Sequence, residues 1–115
     1  MSASALRERL RGDLKSAMRE RRQGEVSVIR TLIAAIDNAE AIPIDGLEER
    51  LRLRDPGDPI GEVARRELDS PALDSVVAAE AQSRIAAAED YERNGRADDA
   101  ARLRSEAQLI ARYLA

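Results

Sequence analysis

The sequence predicts an all-α fold: a small bundle of two helical hairpins joined by a long connection rich in proline and glycine. Three observations predict it. Apolar residues recur at steps of three and four in four separate stretches. All four prolines and three of the six glycines fall together between residues 41 and 71. Hydrophobic residues make up 43% of the chain, yet there is no Phe or Trp and only Tyr91 and Tyr113 are aromatic. A core must therefore be built from Leu, Ile, Val and Ala, side chains small enough for helices to approach one another closely. At 115 residues the chain suffices for one domain and is too short for two.

The first helix is expected near residues 5–22, where Leu6, Leu10, Leu14, Ala17 and Met18 share one stripe. Gln23 and Gly24 interrupt it. The pattern resumes near 25–40 with Val26, Ile29, Leu32, Ile33 and Ile36, extended by Ala34, Ala35 and Ala39, and the short connection makes the two helices antiparallel neighbours. Residues 41–70 read as an irregular, mobile connection, either a disordered excursion or a segment that packs through Ile42, Leu47, Leu51 and Val63, with a short helical turn at Leu47–Arg54. Ser70-Pro71 reads as an N-cap followed by proline at the first helical position. A third helix then covers 71–93 and ends at Asn94-Gly95. The fourth, near 97–113, carries Ala100, Leu103, Ala107, Ile110 and Leu114.

Composition removes several function classes. Without cysteine or histidine there is no thiolate nucleophile, and the commonest acid–base group and metal ligand is missing. No cofactor or metal is expected. Neither a signal-peptide stretch nor a membrane span is evident, which predicts a cytoplasmic protein with no membrane partner. The net charge of −3 is unevenly spread. Residues 1–24 hold seven of the 19 basic groups and three of the 22 acidic ones, so a basic first segment precedes an acidic remainder. Lys15 is the sole lysine; the other cations are arginines, which stay ionised and bind planar anions in a fork.

Four constellations carry candidate chemistry. Arg7, Arg11, Lys15 and Arg19 recur every four residues on the first helix, with Arg22 close to the same line. Such a ridge suits a phosphate backbone, where evenly spaced cations release counterions, and competes with the reading of a solvated amphipathic face. No aromatic residue interleaves with these cations, which argues against single-strand stacking. On the third helix Val77, Glu80, Arg84, Ala88 and Tyr91 share one face, with Glu80 and Arg84 ordered for an i,i+4 pair in a partly buried polar network. Asp13 borders the first apolar stripe and needs a partner, expected to be Arg30 or Arg84. Glu89, Asp90 and Glu92 are too close in sequence to converge on one ion and read as a solvated face.

The run Leu6-Arg7-Glu8-Arg9-Leu10, Asp13-Leu14, Val26-Ser27-Val28-Ile29-Arg30 and Asp37-Asn38-Ala39-Glu40 resembles the opening hairpin of GatB/YqeY proteins. Gly61-Glu62-Val63, Glu80, Arg84, Tyr91-Glu92, Gly95-Arg96, Glu106 and Tyr113-Leu114 are similar to the family's second half. The resemblance implies kinship with the C-terminal helical region of the GatB component of aspartyl/glutamyl-tRNA amidotransferase, a carbon–nitrogen ligase using glutamine as amido donor. The chemistry of that enzyme lies in other domains, and the part similar to this chain supports tRNA engagement. Set beside the family pattern, the chain is a short form without the helical tail. The residues taken as family-like polar elements are Asp13, Arg30, Asn38, Glu40, Glu80, Arg84, Tyr91, Gly95, Arg96, Glu106 and Tyr113.

The expected function is thus a non-catalytic helical protein, a tRNA-associated accessory factor binding weakly and salt-dependently. The alternative is a protein-interaction or self-association module whose leftover apolar groups, Val28, Leu109 and Tyr113, cover a partner. A third, enzymatic reading has the chain completing an amidotransferase in trans.

Overall fold

The computed structural model of the chain describes residues 1–41 and 67–114, and these form four helices with no strand among them. We label them α1 (Ala3–Arg19), α2 (Gln23–Glu40), α3 (Ser70–Arg93) and α4 (Ala97–Ala111). The expected turn at Leu47–Arg54, the packing of Ile42, Leu47, Leu51 and Val63, and the mobility of the connection lie outside the described residues.

Local chemistry sets the helix ends. Ser2 caps α1 by accepting from the Ala5 N–H at 3.1 Å. The cap of α3 is Asp69, not Ser70. Its carboxylate accepts from the Ala72 N–H at 2.9 Å and so places Ser70 and Pro71 inside the first turn. A carboxylate is favoured there over a hydroxyl because it also meets the positive end of the helix dipole. Helix α3 stops in a Schellman motif. Gly95 takes φ 74°, the Arg96 N–H reaches the Tyr91 carbonyl at 2.8 Å, and the Gly95 N–H reaches that of Glu92 at 3.1 Å. Helix α1 ends at Arg19, before the expected residue 22, in the same motif built on Arg21.

Both hairpins are antiparallel. The start of α1 meets the end of α2 through Arg7 with Asp37 and Glu40, and Arg84 and Arg104 of the second hairpin reach Glu106 and Glu92. Helix α2 packs against α1, α3 and α4 and supplies the centre of the core with Val26, Val28, Ile29, Leu32 and Ile36. At about 100° per residue, Val28 and Val26 stand at the two edges of a buried arc nearly half the helix circumference. That width is why Val28 is core and not partner-facing: three neighbours cover more of a helix than the single stripe its spacing suggested. Leu6, Leu10 and Ala17 of α1, Leu73, Val77 and Ala81 of α3, and Ile110 of α4 complete the cluster. Tyr113 is also buried and Leu109 packs against the core, so the three side chains expected to face a partner are all occupied within the fold. Met18 and Leu114, placed on their stripes by spacing, are instead 52% and 37% exposed. Met18 is turned about 100° around α1 from fully buried Ala17, and Leu114 lies beyond the end of α4. No described helix is long and apolar enough to cross a membrane.

Candidate nucleic-acid interface

The cationic ridge of α1 divides once its neighbours are in place. Each step of four residues advances about 40° around a helix, so a row spaced by four drifts away from the core stripe. Arg7 begins beside that stripe and Arg19 ends well out in solvent. Accordingly Arg7 is only 18% exposed and is committed to α2. Its Nε and Nη2 donate to Asp37 Oδ1 at 3.2 and 2.7 Å, and Nη2 also donates to Glu40. Burial works against this charge, but the hydrogen bonds to Asp37 and Glu40 outweigh it and raise the Arg7 pKa. Glu40 is itself 4% exposed, and its Oε2 accepts from the Leu68 N–H at 3.4 Å. This buried carboxylate therefore ties α1, α2 and the approach to α3 together. Arg22 also leaves the ridge: it pairs with Glu25 and lies 2.8 Å from Glu20.

Arg11, Lys15 and Arg19 remain exposed on the outer side of α1. Arg30 of α2 joins them, its Nη2 4.0 Å from the sulfur of Met18. Among the described residues none of these four cations has a carboxylate partner. Arg21 and Arg112 are likewise exposed without one. By contrast Arg7, Arg22, Arg84, Arg93, Arg96, Arg102 and Arg104 each lie against an acid.

The remaining singled-out residues hold the helices to one another. Asp13 finds neither Arg30 nor Arg84. Its Oδ2 accepts from the Tyr113 hydroxyl at 2.5 Å, because the segment after α4 returns to α1 beside it. Arg9 stands 4.7 Å over the Tyr113 ring and donates to the Arg112 carbonyl at 3.2 Å, satisfying an orphan acceptor at the end of α4. These groups border a cleft of ≈ 220 Å³ between α1, the start of α2 and the end of α4. Its carboxylates are engaged, Asp13 with Tyr113 and Glu25 with Arg22. Arg84 bridges Glu80 at 3.0 Å and Glu106 at 3.3 Å, and Arg102 extends the chain from Glu106 to Asp99. Arg96 lies 5.3 Å over Tyr91, and exposed Asn38 contributes its backbone carbonyl to the Ala41 N–H. Sequence spacing marked Asp13 and Tyr113 separately; nothing in it joins residues a hundred positions apart.

The buried Tyr113 contact has a pH signature. Burial, together with the hydrogen bond to Asp13 and its charge, pushes the phenol well above its ordinary value of 10.0. The folded phenol keeps its proton to higher pH than the unfolded one. The stability it contributes is therefore complete below about pH 10 and is lost as pH rises further. Urea midpoints of the parent should fall between about pH 9.5 and 11, and those of Tyr113→Phe should fall less steeply. Equal slopes would show the phenol titrating alike in the folded and unfolded chains.

No protein-family model matches the chain, and no curated protein matches it in sequence. The GatB/YqeY resemblance rests on the residue pattern alone.

Proposed function

We propose that the chain is a non-catalytic helical module of the GatB/YqeY kind that docks on the phosphate backbone of RNA through the outer face of α1. The observation that carries this reading is the charge sorting. In a chain of net charge −3, Arg11, Lys15, Arg19 and Arg30 are exposed on one side without a carboxylate partner among the described residues, whereas the arginines of α3 and α4 are paired. The acidic remainder repels a polyanion and confines contact to this face. Transfer RNA is the class that the resemblance implies. Contact is backbone-directed and weak, since no base-reading or stacking side chain accompanies the cations.

The protein-interaction alternative loses its named residues, because Val28 and Tyr113 are buried and Leu109 packs on the core. A titration of labelled unfractionated tRNA at several salt concentrations tests the RNA reading. Changing Arg11, Lys15, Arg19 and Arg30 to Gln should flatten the log–log salt slope by about 3, the loss of four phosphate contacts. Arg104→Gln, on the far hairpin and paired with Glu92, should leave the slope unchanged. Undetectable binding by the parent at low salt, or binding that survives the four substitutions, overturns the reading.

A further inference from the structure

Helices α1 and α3 end in the same hydrogen-bonded motif but fill its left-handed position differently. At the end of α3 that position is Gly95; at the end of α1 it is Arg21, with φ 57°. The Arg22 N–H reaches the Ala17 carbonyl at 2.9 Å and the Arg21 N–H reaches that of Met18 at 3.3 Å, which completes the motif. This position selects glycine, or sometimes asparagine, because a Cβ is disfavoured in the left-handed region. Among the described residues Arg21 is the non-glycine residue with positive φ.

Packing does not account for its side chain. Arg21 is exposed, Gln23 and Gly24 beside it are exposed, and a Cβ at Gly24 would meet nothing within 4 Å. Nor does an acid hold it, since Glu20 and Glu25 both lie against Arg22.

We propose that Arg21 occupies this position as a phosphate-contacting residue, its guanidinium carrying the cationic face of α1 around the turn to the start of α2. The inference rests on the RNA reading above. Arg19, two residues before it, is exposed as well. No side chain caps the first turn of α2, and the acid in that turn, Glu25, is held by Arg22. A purely structural account would have Arg21 complement the negative end of α1, a place that Arg19 already fills in the last turn.

The two accounts part company in Arg21→Gly and Arg21→Lys, made in the full chain and titrated with unfractionated tRNA across salt alongside thermal melting. Arg21→Gly should melt no lower than the parent, because glycine adopts this φ freely. It should nonetheless lower the log–log salt slope by about 0.7–0.9, the loss of one phosphate contact. Arg21→Lys should keep the parent slope. An unchanged slope in Arg21→Gly, beside a flattened one in the four-Gln variant, overturns this inference and leaves the RNA reading standing. A lowered melting point with unchanged slope assigns Arg21 to the helix end and overturns it equally. A parent chain that does not bind tRNA removes both readings.

Discussion

Replacing Leu32 with alanine is expected to lower the free energy of unfolding by ~2–5 kcal/mol. Leu32 is 1% exposed and lies within the buried arc of α2, the helix that packs against α1, α3 and α4. Deleting its isobutyl group removes apolar burial and leaves a void. Leu, Ile, Val and Ala side chains anchored on four rigid helices can only partly fill it. The effect is large beside the ~5–15 kcal/mol that stabilises a domain of ordinary size. Urea denaturation of the parent and Leu32→Ala under identical conditions measures it. A difference within about 0.5 kcal/mol would place Leu32 among surface positions and contradict the packing described.

Arg7→Ala is the second large effect, and its origin is electrostatic. The substitution strips Glu40 of its ion-pair partner while leaving the carboxylate buried at the C-terminal end of α2, where the helix dipole also opposes a negative charge. Breaking a fully buried pair typically costs ~3–5 kcal/mol. Arg7 retains some solvent contact and Glu40 keeps the Leu68 N–H, so about 2–4 kcal/mol is expected. The double variant Arg7→Met, Glu40→Gln should recover part of that loss, since the neutral amide leaves no unpaired buried charge and its oxygen still accepts from the Leu68 N–H. A single variant as stable as the parent, or a double variant worse than the single, would show that the pair contributes nothing as a buried charge contact.

The four helices were legible because each reports its own periodicity. The steps Leu6–Leu10, Ile29–Leu32–Ile36 and Ala107–Ile110 depend on no distant residue. Gly95 was legible for the same reason, as a left-handed helix end is a local event. The cationic face was legible as a row and misread in membership. Spacing by four lists Arg7 with Arg11, Lys15 and Arg19 but does not reveal which end of a drifting row faces a neighbouring helix. Arg30, from the adjacent helix, could not be added without knowing the register of the hairpin.

The sequence by itself determined the all-α class, the four described helices with ends near their observed places, a core built mainly from Leu, Ile, Val and Ala, and a basic first segment on an acidic chain. Tertiary structure alone decided the partners. It gave Asp13 to Tyr113, Glu40 to Arg7 and the Leu68 N–H, and Arg84 to both Glu80 and Glu106. It also moved Val28 and Tyr113 from candidate surface to core. The physical reason is range. Helix formation is driven by dihedrals and contacts within four residues, whereas a buried charge or a widened apolar arc is satisfied by whichever helix arrives beside it. That arrangement is set by how the two hairpins dock, with α2 between α1 and the second hairpin.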